Sequence, residues 1–155
     1  MEKVLQYEIP VWHPIAVHFP VALILTGAAC MVMWTIRGAH FWRSCALLLY
    51  AAGMAGALFA YFTGEAMEEQ VEGTPIVEEL VHLHEDMGLY TLLFTGLTLA
   101  GIVALAVWER YRPITRPQPD PVLIRLGLGL LAVISAVLIA WTAHIGGVMV
   151  WGVAR

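Results

Sequence analysis

The sequence predicts an all-α integral membrane protein, a four-helix up-down bundle with both termini on the outer (periplasmic) side. Three observations predict it. Of the 155 residues, 60% are apolar and 13% charged, against the about 25% charged of an average soluble domain. Four apolar stretches, at residues 14–36, 45–63, 87–108 and 122–144, approach or exceed the about 20 residues that cross a bilayer. The arginines fall in alternate connections: Arg37 and Arg43 after the first stretch, and Arg110, Arg112 and Arg116 after the third, with Arg125 just inside the fourth. The connection between the second and third stretches has no lysine or arginine. By the positive-inside rule the arginine loops are cytoplasmic, which sets the chain as multi-pass in a bacterial inner membrane. Residues 1–155 form one domain, with little chain left for a soluble module. No basic region with a small-residue cleavage site opens the sequence, so the first span is expected to serve as its own insertion signal.

Taken in order, residues 1–12 make a short outer arm, with Tyr7 and Trp12 suited to the headgroup layer. The first span opens on Trp12-His13-Pro14-Ile15-Ala16-Val17-His18-Phe19-Pro20. Pro14 fits the first turn of a helix, where its missing N–H costs nothing. Pro20 removes the bond to the Ala16 carbonyl and should bend the helix beside His18. An imidazole at that depth is a functional candidate by default. The bland alternative is an interfacial histidine bonded to the freed carbonyl. Helical spacing turns His13 well away from His18, which leaves His13 to act near the helix start. His40 reads as an ordinary interfacial residue. Cys30 and Cys45, without a CxxC or CxxCH, read as buried structural thiols.

In the second span Ala52, Gly56, Ala60 and Gly64 recur every fourth residue, with Gly53 and Ala57 alongside. Such a stripe lets helices approach closely, and would equally seat a flat macrocycle. Residues 65–86 then carry eight acids, a solvated face on the simplest reading. Thr74 and Pro75 suit the N-cap and first position of the next helix. That helix sets Glu78, His82 and Asp86 on one edge, and Leu80, His84, Gly88, Thr91 and Thr95 on another, which reads as the bundle face. Residues 111–121 hold four prolines and form an extended link. The fourth span carries Gly129, Ala132, Ala136 and Ala140 down to His144, and Gly146-Gly147 should loosen or stop it before Trp151. A faint repeat joins the halves: His13 and His82 each precede a Thr-Gly pair by thirteen residues, at Thr26-Gly27 and Thr95-Gly96.

In an up-down bundle His13, His18, His84 and His144 converge on the outer face. His18, His84 and His144 can point inward from separate helices, and bundles build cofactor sites from facing side chains. Heme b needs one or two axial imidazoles, a slot walled by small residues and an interface for its propionates. A bare zinc, iron or copper ion needs three or four ligands at one point, which Glu85 or Asp86 would complete. Small-residue stripes would be superfluous around a single ion, so one heme b is favoured, or two with His13 as a further ligand.

The motifs His13-Pro14 with Val17-His18-Phe19-Pro20, His84-Glu85 and His144-Ile145-Gly146-Gly147 resemble a family of small four-span bacterial membrane proteins catalogued as a domain of unknown function. The likeness runs from about residue 12 to 152. After Gly-Gly the family pattern often continues Val-Tyr and Gly, where this chain has Met149-Val150-Trp151-Gly152. The resemblance implies a four-helix membrane protein sometimes found with cytochrome-like partners, and supplies no activity. The histidines themselves point to a membrane b-type cytochrome or heme-carrying subunit, an electron carrier in preference to a stand-alone enzyme. Its expected partners are membrane lipid, a periplasmic c-type cytochrome or a quinol, and other membrane subunits, with no nucleic acid. Two alternatives stand: a non-heme metal protein using the same histidines, and a cofactor-free subunit of a larger complex. A transporter is disfavoured because the inner half offers no ionisable relay beyond boundary arginines. No nucleophile–base pair supports a hydrolase.

Overall fold

The computed structural model describes residues 12–68, 75–111 and 120–151, with side chains over 12–65, 80–111 and 120–149. Five helices follow in order: α1 (His13–Ala16), α2 (His18–Arg37), α3 (His40–Glu68), α4 (Pro75–Tyr111) and α5 (Val122–Trp151). Four of the resulting stretches are long and apolar enough to cross a membrane: His13–Arg37, His40–Glu65, Leu80–Tyr111 and Val122–Met149. The arm before Trp12, the Thr74 cap, Glu69, Glu72 and the link residues 112–119 lie outside the described residues.

Pro20 explains the division between α1 and α2. It has no N–H for the Ala16 carbonyl, and the helix breaks at Val17, while Val17 and Val21 on either side keep their bonds to His13 and Val17. Pro14 sits in the first turn of α1, as its missing donor favours. The short α2–α3 turn uses Gly38 at φ 66°, the only positive φ among the described residues. At the other end of the chain Gly146 and Gly147 do not stop α5, which runs on to Trp151. An apolar medium leaves a broken helix no water to bond, and that outweighs glycine's backbone entropy.

Each of the four long helices buries one stripe spaced alternately by three and four residues. On α2 it is Pro20, Ile24, Gly27, Met31 and Trp34; on α3 Arg43, Ala46, Tyr50, Gly53, Ala57 and Ala60. On α4 it is Thr91, Thr95, Thr98, Ile102 and Leu105; on α5 Leu128, Ala132, Ser135 and Ile139. That spacing packs ridges of one helix into grooves of the next at a shallow angle, the geometry of most membrane bundles. The small residues work as anticipated, with one rotation: Gly53, Ala57 and Ala60 face inward, Gly56 lies against Pro20, and Ala52 is exposed. At Gly27 a Cβ would fall 2.9 Å from the Tyr50 ring, so glycine there is what lets α2 and α3 close on a buried tyrosine.

Thr98 and Ser135 share a hydroxyl bond of 3.2 Å between α4 and α5, and Thr91 and Thr142 one of 3.1 Å. Such pairs keep polar groups satisfied away from water. The outward faces are apolar instead: Leu48 is 72% exposed, Leu130 62% and Val137 62%. Apolar residues outside as well as inside mark a surface made for lipid.

The helices form two antiparallel hairpins, α2–α3 and α4–α5, joined along two seams, α2 to α5 and α3 to α4. Of these four packings the α3–α4 seam is the sparsest.

Candidate functional site

His13 begins α1, seven residues before Pro20 and fourteen before Gly27, which extends the buried stripe of α2 upward. It is therefore turned toward α3. Its Nδ1 lies 2.8 Å from the Ala60 carbonyl and 3.4 Å from Thr63 Oγ1. A carbonyl only accepts, so Nδ1 carries the proton in that bond, and in the neutral ring Nε2 then holds the lone pair. The ring covers Gly64, where a Cβ would come within 3.2 Å of Cε1.

His84 occupies the corresponding place on the second hairpin, seven residues before Thr91 on the α4 stripe. It covers Gly146 of α5, where a Cβ would come within 3.1 Å of its Cε1. Its Nδ1 is sealed from solvent without a hydrogen bond, although a backbone group at Thr142 lies close. The two imidazoles meet edge-on across the junction of the hairpins, with centroids 6.2 Å apart and planes at 84°.

The expected bundle face of α4, with His84 inward and His82 on an exposed edge, is the one observed. His18 and His144 differ from expectation, since both are exposed. His18 is two residues from buried Pro20, about 200° around the helix, so seating Pro20 on Gly56 turns His18 outward. His144 stands two residues from Gly146 and turns out for the same reason, with its ring 5.6 Å from that of Trp141. The structure thus pairs His13 with His84. The signal for His13 was present in its spacing of seven and fourteen from Pro20 and Gly27.

At the opposite end, sequence reasoning missed a buried ion-pair network. Arg43 continues the α3 stripe and Glu109 the α4 stripe, four residues beyond Leu105. Arg43 donates to both Glu109 oxygens, at 2.7 and 2.5 Å, and to Asp120 at 3.2 Å. Trp34 Nε1 donates to the same Asp120 oxygen at 3.1 Å, and the guanidinium lies 6.0 Å from the Trp34 ring centre. Burial holds the Asp120 carboxyl above the usual carboxylate range, and neighbouring Glu109 adds to this against the pull of Arg43 and Trp34. Arg125 joins α5 to the end of α2 by donating to the Thr35 carbonyl, while Thr35 Oγ1 donates to the Arg125 carbonyl at 3.1 Å. This half of the bundle therefore holds more than boundary arginines.

His40 is exposed, and with Glu109 and Asp120 it places three ligand atoms within 4.8 Å of one another. Glu109 already spends both oxygens on Arg43. Among the described residues no other group of three such side chains comes together, so Glu85 and Asp86 do not complete a set with His13 and His84.

Residues 9–154 match the family described as "Predicted membrane protein (DUF2231)", and the chain belongs to it. No curated protein and no solved structure matches the chain.

Proposed function

We propose, starting from membership in that membrane-protein family, that the chain is a b-type cytochrome or heme-carrying subunit that holds heme between His13 and His84. The observation that carries this reading is the pair of imidazoles brought together from the two hairpins. Their centroids lie 6.2 Å apart with the rings edge-on, a separation that an ordinary T-shaped contact also has. The support lies in two imidazoles from separate hairpins meeting at one place, where they would hold a heme iron if one were bound. His84 is compatible with this: its Nδ1 is sealed from solvent with only the Thr142 backbone beside it, as Thr95 Oγ1 and Arg125 Nε are sealed elsewhere in the bundle.

Two imidazoles are too few for a bare zinc or copper centre, which takes three or four protein ligands. They suffice for heme, whose macrocycle brings four nitrogens of its own. Bound there, the heme supplies a one-electron iron couple. His13 contributes an imidazole whose tautomer is set by Ala60, the kind of backing that orients a ligand and raises its basicity. Gly64 and Gly146 leave both rings close to backbone, and the sparse α3–α4 seam is where the hairpins can part around a flat group. His18 and His144 take no ligand role in this reading.

The histidine end is the outer face if the arginine loops are cytoplasmic. Glu65, Glu85 and Asp86 stand at that end and suit a basic partner such as a periplasmic c-type cytochrome. An outer-leaflet quinol is the other electron donor this placement allows. A pyridine hemochrome assay on protein expressed with adequate heme tests the reading: b-type heme supports it. Stoichiometric zinc, iron or copper without porphyrin would replace it with the bare-metal reading, and neither would leave a cofactor-free subunit.

A further inference from the structure

A groove of about 330 Å³ opens between α3 and α4 in the arginine half of the bundle, lined by Leu47, Val103, Ala106, Val107, Arg110 and Tyr111. Its chemistry is graded along the membrane normal. Four lining residues are apolar, and the charge and the hydroxyl sit together at the helix end. From Val103 to Arg110 is about 10 Å at 1.5 Å per residue, roughly two thirds of one leaflet of a 30 Å hydrocarbon layer. Arg110 and Tyr111 are both exposed, and among the described residues neither joins an ion pair. A second groove of about 220 Å³ lies on the other seam between α2 and α5, where Val32, Thr35, Ile36 and Leu126 are among its lining. No cationic side chain lines that one. Both grooves follow from the same cause, hairpins that close tightly within themselves and less tightly on each other.

We propose that the α3–α4 groove binds an anionic phospholipid of the leaflet on the arginine side. One acyl chain lies along Leu47, Val103 and Val107, and the phosphate meets the Arg110 guanidinium and the Tyr111 hydroxyl. A guanidinium pairs with phosphate through two parallel N–H donors, and a tyrosine ring suits the headgroup depth. Charge selects the occupant. Arg110 has no counter-ion among the described residues, and a zwitterionic lipid brings its own ammonium to offset the phosphate. A neutral quinone offers no anion at all. The site is independent of the histidine pair, which lies at the other end of the bundle.

The experiment is native mass spectrometry of the purified protein after equilibration with equimolar phosphatidylglycerol and phosphatidylcholine of matched chains. The expected result is one retained phosphatidylglycerol, preferred about fivefold, the factor given by one arginine near an anionic headgroup. Arg110→Gln should bring that preference to about one. Ala106→Phe, which fills the groove without changing charge, should lower retention of both lipids. Arg110 is a surface residue, so its variant reads out even if the bulky one does not fold. Equal retention of the two lipids, an unchanged preference in Arg110→Gln, or a retained quinone mass would each overturn the proposal.

Discussion

The two ends of the bundle place polar side chains on the same buried stripes and treat them differently. At the arginine end Arg43 reaches two carboxylates, and Asp120 has both an indole N–H and a guanidinium. At the histidine end His13 has one ring nitrogen bonded, and His84 keeps a sealed nitrogen with no partner. A closed network clamps elements together, here α2, α3 and α4 to the residue pair that leads into α5. An open one leaves valences for something else. Arg125 Nε at the arginine end is sealed without a partner too, so the difference lies in the groups that meet. Arg43, Glu109 and Asp120 spend their charges on one another, and His13 and His84 bring two imidazoles together with no charged partner among the described residues.

Removing the open pair should have the largest effect on function. His84→Ala and His13→Ala are each expected to abolish or recast the reduced-minus-oxidised heme spectrum, with the helical content intact. His18→Ala, His82→Ala and His144→Ala should leave it nearly unchanged. A spectrum lost in His18→Ala but kept in His13→Ala would move the ligand to the exposed face and end the pairing argument.

The closed network should yield the largest stability effect. Arg43→Ala strands the buried Asp120 and the half-buried Glu109, and should cost about 2–4 kcal/mol, somewhat under the loss from breaking a fully buried pair. Unfolding in mixed micelles would read it. Arg43→Met combined with Glu109→Gln and Asp120→Asn should cost less than Arg43→Ala alone, because no charge is left uncompensated. A loss below about 1 kcal/mol in Arg43→Ala would mark the network as a solvent-screened surface pair.

Between the ends, the effect is one of packing. Gly27→Ala pushes a methyl against the Tyr50 ring, itself fully buried, and should cost about 1–3 kcal/mol by overpacking. Gly147→Ala, with open space around it, should be neutral or slightly stabilising in the same unfolding assay.

The smallest effect concerns the acids beside the histidines. With Glu65, Glu85 and Asp86 changed to Gln, Gln and Asn, electron transfer to a basic cytochrome should slow severalfold at low salt and converge with wild type as salt rises. A rate unaltered at low salt would leave those acids as a solvated face only.

Comparison of the two ends also shows what was readable beforehand. The four spans, a bend ahead of Pro20, the long α4 starting at Pro75 and the inward face of His84 follow from hydropathy and spacing within single segments. Depth in the apolar run points to His18, and rotation away from His18 sets His13 apart at the helix start, but the buried stripe is the better guide. Carried back from Gly27 through Pro20, the stripe reaches His13. Arg43 reads as a loop arginine and Glu109 draws no attention because charged residues near a span's end ordinarily reach the interface, and Asp120 is hidden among the prolines of a link.

By itself the sequence determined that the chain folds as a bundle of membrane-crossing helices, since hydropathy and length are local quantities and an apolar medium leaves the backbone no alternative to the helix. It also determined which small residues were available for close packing. Only the tertiary structure decided which histidines meet and which charges pair. Those outcomes depend on the rotation of each helix about its axis, set by Pro20 against Gly56, Tyr50 against Gly27, and the two imidazoles against Gly64 and Gly146. A rotation of about 100°, one residue's step, would exchange an inward side chain for an outward one, and no single segment carries the contacts that choose between them.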